Sequence, residues 1–332
     1  MNMIFKLPVI ILVAALTACN NAINKSPYGE LLVQPPYASL TDSLKDNSGN
    51  DNLYFRRGLL LRKNGLNEPA LADLQKAWSL KNKEQYAAHI SAILLEKKPD
   101  SAIVFIADAL KKIPSSIFLK LDLVRAYRSL HEKDKALSVC NEIIEKAPGQ
   151  IDALMMQSEL LEEKQDSAGS IVSLEKAYAL APFDLELNYN LAFKYAQTRN
   201  EKTIGLCDSL LTMDSTHTHA EPYYFKGVYY ANMNVKEKAI HFFDLAIQHD
   251  YNFLDAYLDR GSTLYEQKNI NDALKVFTLA STISPAFADA YYWIGKCQQA
   301  LGQKSDAKEN YQRAYGFDKT LTEAKDSAAK IK

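Results

Sequence analysis

The sequence is poor in cysteine and glycine and is almost balanced in charge. Its 332 residues include four cysteines, twelve glycines, and 39 basic against 40 acidic side chains. Four cysteines are too few for a disulfide scaffold, and a formal charge of -1 provides no broad basic surface for nucleic acid. The absence of a phosphate loop, a nucleophile elbow and paired catalytic carboxylates indicates a protein that is not an enzyme and needs no cofactor. A hydrophobic fraction of 47% excludes intrinsic disorder for most of the chain.

The N-terminal apolar run is too short to cross a membrane. Leu7–Leu16 has ten residues, whereas a membrane-spanning helix needs about 20. Lys6 precedes the run and Leu16-Thr17-Ala18-Cys19 ends it. This pattern predicts a cleaved signal peptide over residues 1–18.

The tetrapeptide Leu-Thr-Ala-Cys resembles the lipobox of bacterial lipoproteins. The resemblance implies cleavage before Cys19 and lipidation of its thiol and of the new amino terminus, which would anchor the protein in a membrane. Ordinary secretion with an unmodified Cys19 is the alternative. By the sorting rules of lipoproteins, Asn20 in place of Asp implies the outer membrane. The absence of an acidic run after Cys19 favours the periplasmic face, and exposure at the cell surface stays open.

Residues 19–50 form the predicted attachment segment, with the lipidated cysteine followed by a tether. Three prolines, two glycines and many Asn, Ser and Asp residues are typical of extended or irregular chain. Within it, Leu40–Leu44 predicts one of two structures. Either these residues begin a short helix that covers the exposed end of the following domain, or they belong to a disordered linker.

From Asp51 onward, small residues recur with a period near 34. The first series is Ala70, Ala102, Ala136, Ala239, Ala273 and Ala307, with separations of 32, 34, 103, 34 and 34. A second series lies seven residues downstream, at Ala77, Ala109, Ala177, Ala246, Ala280 and Ala314. A period near 34 is typical of a solenoid of helical hairpins.

These residues resemble the tetratricopeptide repeat, in which small residues at positions 8, 20 and 27 alternate with large ones at 4, 11 and 24. The best-matching residues are Tyr223, Gly227, Tyr230, Ala239, Phe243 and Ala246; Tyr257, Gly261, Leu264, Ala273, Phe277, Ala280 and Pro285; and Tyr291, Gly295, Ala307, Tyr311 and Ala314. The resemblance implies an all-α fold, a right-handed α-α superhelix of about eight helical hairpins plus a C-terminal capping helix. The predicted units are 51–82, 83–116, 117–150, 151–184, 185–219, 220–253, 254–287 and 288–321, and the capping helix is 322–332.

The middle of the array departs from the repeat pattern. Ile143 and Ser170 replace the usual alanine in the third and fourth units, and Thr203 or Ile204 does so in the fifth. The fifth unit also lacks a terminal proline and ends in the polar run 214–219. We expect its two helices to pack less closely and the turn after it to be the most irregular joint.

The resemblance also implies a partner-binding groove, formed by positions 2, 5, 9, 12 and 13 of the first helix of each unit. The candidate residues are Phe55, Arg62, Phe118, Leu121, Arg125, Arg128, Met155, Glu159, Glu162, Tyr189, Phe193, Tyr224, Tyr265 and Tyr292. Exposed apolar surface with tyrosine and arginine is typical of a protein contact. Two alternatives stay open: the aromatic rings pack against neighbouring helices, and Arg125 and Arg128 form a structural ion-pair network with the glutamates of the next unit.

The remaining cysteines and histidines predict no metal site. Cys140, Cys207 and Cys297 fall in units that do not touch in a solenoid, so they are expected to be buried thiols without a disulfide. His217 and His219 are too few ligands for a structural zinc site.

We therefore interpret the sequence as a membrane-anchored, non-enzymatic scaffold that binds a protein or peptide in its groove and serves envelope complex assembly. The alternative is a glycan-capturing outer-membrane lipoprotein of a sugar-uptake system. In such proteins large insertions form the sugar site, and this chain has no room for one.

Overall fold

The computed structural model describes residues 27–213 and 219–331. The helices in these ranges are α1 Gly29–Leu32, α2 Ala38–Asp46, α3 Asp51–Lys63, α4 Asn67–Leu80, α5 Glu84–Lys97, α6 Pro99–Lys112, α7 Ile117–Ser129, α8 Lys133–Lys146, α9 Ile151–Glu163, α10 Ser167–Leu180, α11 Leu185–Gln197, α12 Lys202–Met213, α13 Glu221–Asn232, α14 Lys236–His249, α15 Leu254–Glu266, α16 Ile270–Ile283, α17 Ala288–Ala300, α18 Lys304–Phe317 and α19 Thr322–Lys330. Neither range contains a β-strand. The predicted all-α array of helical hairpins is confirmed, and the handedness of its superhelix stays a prediction.

The chain divides into two compact units, one up to Lys146 and one from Ala147 onward. In the first unit the hairpins are α3 with α4, α5 with α6, and α7 with α8. In the second they are α9 with α10, α11 with α12, α13 with α14, α15 with α16, and α17 with α18, and α19 packs against α18. Each hairpin therefore has a first helix, which carries the predicted groove positions, and a second helix.

Small residues allow the two helices of a hairpin to approach closely. The recurrent alanines are buried in the described hairpins, for example Ala239 and Ala246 at 0% exposure. At Gly227 the approach is very close, because a Cβ atom there would lie 2.5 Å from the ring of Phe243 on the second helix, and Gly261 is equally close to the ring of Phe277. The spacing of small and large residues in the sequence thus reflects a real packing requirement.

The helix ends follow from local chemistry. Four second helices, α6, α8, α10 and α16, end two residues before a proline, which cannot continue a helix. Asn50, Ser116, Asp166 and Asp184 cap the helices that follow them by accepting hydrogen bonds from backbone amides. Within seven hairpins, the turn contains one residue in the left-handed region: Gly65, His131, Gln165, Arg199, Asn234, Lys268 and Gly302.

The segment before the repeats packs onto the first hairpin. Tyr37, Thr41 and Leu44 are buried. The Thr41 hydroxyl donates to the Leu32 carbonyl (2.5 Å) and accepts from Arg57 of α3 (2.9 Å). Of the two structures left open for Leu40–Leu44, these residues adopt the helical one, as part of α2, and the folded segment extends back to Pro27.

The fifth hairpin differs from its neighbours. Thr203, fully buried, takes the place of the usual small residue, while Ile204 is half-buried. The Thr203 hydroxyl donates to the carbonyl of Asn200 (2.6 Å). The predicted irregular turn at 214–218 lies outside the described residues, as do the predicted signal peptide and Cys19.

The C-terminal helix covers the last hairpin. Ala328 and Ile331 are buried in a cluster with Ala307 and Tyr311 of α18. Among the helices of residues 27–213 and 219–331, none combines the length and the apolar character that a membrane span requires.

Candidate functional site

The first helices of the N-terminal unit bring an aromatic ring and a basic side chain together. The Phe55 ring lies 4.7 Å from that of Tyr86 and 5.4 Å from that of His89. Arg62 reaches Nδ1 of His89 (3.2 Å) and the Glu96 carboxylate (3.4 Å). Burial lowers the pKa of His89, and the charge of Arg62 lowers it further. Phe55 and Arg62 of α3 are therefore held in place by side chains of α5.

Helix α7 carries four of the candidate groove residues. Phe118 is 45% exposed and Leu121 is 5% exposed. Leu121 therefore packs inside the unit and offers no surface to a partner, because its neighbours bury a position that the repeat pattern places at the groove. Arg125 is exposed and donates to Asp122 on the same helix (2.7 Å), and Asp122 also accepts a hydrogen bond from Ser91 of α5.

Helix α9 contributes acidic groups to the second unit. Met155 is half-buried and Glu159 is exposed. Glu162 pairs with Lys194 of α11 at 3.0 Å. The predicted network between Arg125, Arg128 and these glutamates would link the two units and stays a prediction.

A cluster of aromatic rings lies on α11 and α13. Tyr189 and Phe193 contact Phe225 at centroid distances of 6.1 and 5.4 Å, and Phe193 is nearly parallel to Tyr224 at 6.5 Å. Phe225 is buried, whereas the other three rings are half-buried. The three half-buried rings thus pack against their neighbours and keep part of their surface open to solvent, and partner binding by these rings stays a prediction.

Tyr224 is held by ring contacts and by a hydrogen bond. Its ring lies 4.9 Å from Phe253 and 5.9 Å from Phe243, and its hydroxyl donates to the Asp259 carboxylate (2.9 Å). Burial raises the pKa of Tyr224, and the charge of Asp259 adds to this shift. Burial also raises the pKa of Asp259. Tyr224 thus joins α13 to α15 and serves packing as well as surface.

A second aromatic group surrounds a lysine on α15 and α17. Lys296 Nζ lies 3.9 Å from the centroid of Trp293 and 5.5 Å from those of Tyr265 and Tyr292. Trp293 stacks on Phe277 of α16 at 5.3 Å. The Tyr292 hydroxyl donates to Glu323 of α19 (3.2 Å). We call Tyr265, Tyr292 and Trp293 the aromatic cage.

Sequence reasoning missed several members of these groups. The repeat pattern did not select three of these residues, because each directly follows groove position 5 of its unit: Phe225, Asp259 and Trp293. A search for aromatic and acidic residues adjacent to the groove positions would have found all three.

The cysteines are buried within the helices. Cys140, Cys207 and Cys297 are 0% exposed, and none of the three forms a disulfide within the described ranges. Burial raises the pKa of Cys207 and of Cys297 to about 12. His219 lies 5.9 Å from the Tyr189 ring, and His217 lies outside the described residues. Across the described ranges, no three His, Cys, Asp or Glu side chains are grouped as metal ligands would be.

A cavity of about 370 Å³ lies between α10, α11 and α12. The polar groups at its edge are already paired, because Glu175 accepts hydrogen bonds from Tyr195 (2.6 Å) and Lys202 (2.7 Å). Its remaining wall includes Leu191 and Leu206. The cavity presents no unpaired charged group for a ligand.

Comparisons with known proteins agree with this fold. Residues 289–315 match the family model of the tetratricopeptide repeat. A tetratricopeptide repeat protein from Parabacteroides merdae has a similar structure, with 14% identity, a TM-score of 0.51, and coverage of 84% of this chain and 97% of that one. PilW, a type IV pilus biogenesis factor, has 18% identity and a TM-score of 0.51, with coverage of 64% and 97%.

Cut9, in the Cut9–Hcn1 hetero-tetramer of the APC/C, has 12% identity and a TM-score of 0.50; the alignment covers 89% of this chain and 59% of that one. At such identities the likeness shows the fold alone. No curated protein matches the chain in sequence. Residues 289–315 of the chain thus match the tetratricopeptide repeat, and the solved structures share the fold of this array of helical hairpins.

Proposed function

We propose that this protein is a lipid-anchored scaffold of the bacterial envelope, which binds a segment of a partner protein on its first-helix surface. The observation that carries the proposal is the aromatic cluster of Tyr189, Phe193 and Tyr224, whose rings are only half-buried. Rings held by their neighbours bind at a small entropic cost, which makes them suitable anchors for a partner.

Proteins of similar fold support a scaffold function. The structure of Cut9 is that of a hetero-tetramer with Hcn1, and PilW is a biogenesis factor of the type IV pilus. A helical repeat array of this kind has a long surface with recurrent binding positions, and no catalytic group is needed for such a role.

The proposed anchor rests on the lipobox-like tetrapeptide that ends at Cys19. Several acyl chains on one cysteine hold a protein stably on a membrane, because one chain alone binds weakly and reversibly. Asn20 supports the outer membrane, and the periplasmic face is the proposed orientation. Replacement of Cys19 by Ser should move the protein from the membrane fraction to the soluble fraction and abolish labelling by a fatty-acid analogue. Retention of both would contradict the anchor.

A photo-crosslinking experiment tests partner binding. A photoreactive phenylalanine analogue would replace Phe193 on the first-helix surface or, as a control, Val172 on α10, which is 49% exposed. We expect a discrete crosslinked protein from position 193 and none from position 172. No crosslink at 193, together with binding of the full-length protein to oligosaccharides, would favour the glycan-capture alternative and overturn the scaffold.

A further inference from the structure

The first helices of the C-terminal unit carry an excess of acidic side chains. Helices α9, α11, α13, α15 and α17 contain ten acidic and four basic residues, a difference of six. The second helices of the same hairpins contain seven acidic and eight basic residues. The negative charge is therefore concentrated on the first helices: α9 alone has four acidic and no basic residues, and α13, α15 and α17 together have five acidic and three basic residues.

Most of the basic residues on these first helices are already paired. Lys194 pairs with Glu162, Lys226 with Asp208 of α12, and Arg260 with Asp244 of α14. Lys226 and Arg260 thus neutralise residues of the second helices. They do not pair with the aspartates of α15 and α17, whereas Glu266 of α15 pairs with Lys236 of α14 (3.1 Å).

Three aspartates of α15 and α17 lack a cationic partner among the described residues. Asp255 and Asp289 make no ion pair there, and Asp259 accepts a hydrogen bond only from the Tyr224 hydroxyl. Burial raises the pKa of Asp259 and of Asp289, and the charge of Asp255 contributes to both shifts. Like charges held together without a cation form a region of negative potential that attracts a cation.

The aromatic cage shows that this surface accommodates an ammonium group. Lys296 is half-buried, and its Nζ lies within 6 Å of three ring centroids, the range of cation–π attraction. Its Nζ makes no ion pair within the described ranges. Tyr265 comes from α15, whereas Tyr292 and Trp293 come from α17, so the cage depends on the packing of two repeats. Lys296 thus occupies a site that aromatic rings build for a cation.

We propose that the first-helix surface of α13, α15 and α17 binds a basic segment of the partner protein, and that a lysine or arginine of this segment enters the aromatic cage in place of Lys296. The uncompensated aspartates attract the segment, and the cage positions one of its cations. Lys296 acts as an internal competitor. This inference rests on the proposed function and identifies the chemistry of the partner.

The test uses the full chain in detergent and two synthetic peptides of equal length, with lysine or glutamate at alternate positions. Calorimetric titration should show binding of the lysine peptide, weakened by salt, and none of the glutamate peptide. The double variant Asp255→Asn, Asp289→Asn should bind the lysine peptide more weakly. The control variant Asp272→Asn, on second helix α16, should bind as the wild type does.

The cage itself is tested by substitutions at Tyr265 and Lys296. Tyr265→Leu should weaken binding of the lysine peptide roughly fivefold, whereas Tyr265→Phe, which keeps the ring, should restore it. Lys296→Ala should tighten binding severalfold, because the internal competitor is gone. Thermal melting of each variant shows whether the fold is intact.

Several results would overturn the inference: equal binding of the two peptides, binding of the glutamate peptide only, binding of neither, or unchanged binding by Tyr265→Leu. The chain could also self-associate in a way that Asp255→Asn and Asp289→Asn abolish. That result would assign the surface to a second copy and would also overturn the inference. In each case a crosslink from position 193 would still support the scaffold, so the failure of the two proposals is distinguishable.

Discussion

The guanidinium of Arg57 in α3 donates two parallel hydrogen bonds to the carboxylate of Asp73 in α4. The distances are 2.6 Å from Nε and 2.7 Å from Nη2, and both residues are about 6% exposed. The third contact of Arg57, with Thr41, connects this pair to α2. Burial raises the pKa of Asp73, while Arg57 acts in the opposite direction.

Loss of one partner of this pair should destabilise the first unit. Arg57→Ala leaves the Asp73 carboxylate buried without a cation and breaks the contact with Thr41. We expect a loss of about 3–5 kcal/mol in the free energy of unfolding, measured with urea and circular dichroism. The control Arg56→Ala removes an exposed arginine from the same helix and should change the free energy of unfolding by less than about 0.5 kcal/mol. Similar losses for both variants would show that the pair contributes little.

Close helix packing predicts opposite effects for two glycine substitutions. A Cβ atom at Gly227 would lie 2.5 Å from the Phe243 ring, whereas nothing lies within 4 Å of a Cβ at Gly205 in α12. Gly227→Ala should therefore cost about 1–3 kcal/mol through overpacking. Gly205→Ala should stabilise the protein by about 0.5–1 kcal/mol, because alanine favours a helix. Thermal melting of the two variants checks the prediction, which equal shifts of the same sign would contradict.

The buried cysteines predict slow reaction with thiol reagents. Since the pKa of Cys207 and of Cys297 is raised to about 12, almost no thiolate forms in the native protein at about pH 8. A chromogenic disulfide reagent should react slowly with native protein and rapidly after denaturation. The number of thiols then reports on Cys19. The denatured chain should titrate three cysteines if Cys19 is lipidated, and four if it is free.

The stability of the first hairpin should fall in acid. Lys83, Tyr86 and Lys81 all contact the Asp51 carboxylate, at 2.7, 2.5 and 3.0 Å, and they hold its pKa well below the ordinary value. A lowered pKa in the folded state contributes stability above the ordinary pKa of about 3.9, and this contribution is lost as the pH falls below it.

Urea unfolding between about pH 5 and pH 2 tests this contribution. Asp51→Asn removes the titrating group. The unfolding free energy of this variant should therefore fall less steeply with decreasing pH than that of the wild type. Asp73 has a raised pKa, which acts in the opposite direction. Because Asp73 is present in both the variant and the wild type, only the slopes of unfolding free energy against pH are compared. Equal slopes would assign the acid sensitivity to other carboxylates.

Sequence reasoning identified the features that arise from close packing within a hairpin. Alanines such as Ala239 and glycines such as Gly227 recur because no larger residue fits between the helices, so their spacing predicts the repeats directly. Pro114 and Pro148 likewise mark helix ends through their own geometry. These are local constraints, and each is visible in one sequence.

The parts that sequence reasoning missed depend on contacts between distant residues. Helix α1 has four residues, too few for a periodic pattern. The segment that contains it, residues 27–46, is held on the first hairpin by the hydrogen bond from Arg57 to Thr41. Leu121 has the residue type and position of a groove residue, but its neighbours bury it. The aromatic cage requires Tyr265 and Trp293, which lie 28 positions apart in two repeats. A repeat pattern treats each unit separately and does not show such contacts.

The packing of residues 27–46 onto α3 sets the reach of the proposed anchor. Pro27 lies only eight positions after Cys19, whereas Asp51 lies 32 positions after it. A chain of eight residues spans at most about 28 Å in any conformation, while 32 residues would reach about 110 Å. With a lipid on Cys19, the first hairpin would stay close to the bilayer surface, and any partner bound near Phe55 would be held within the same thin layer.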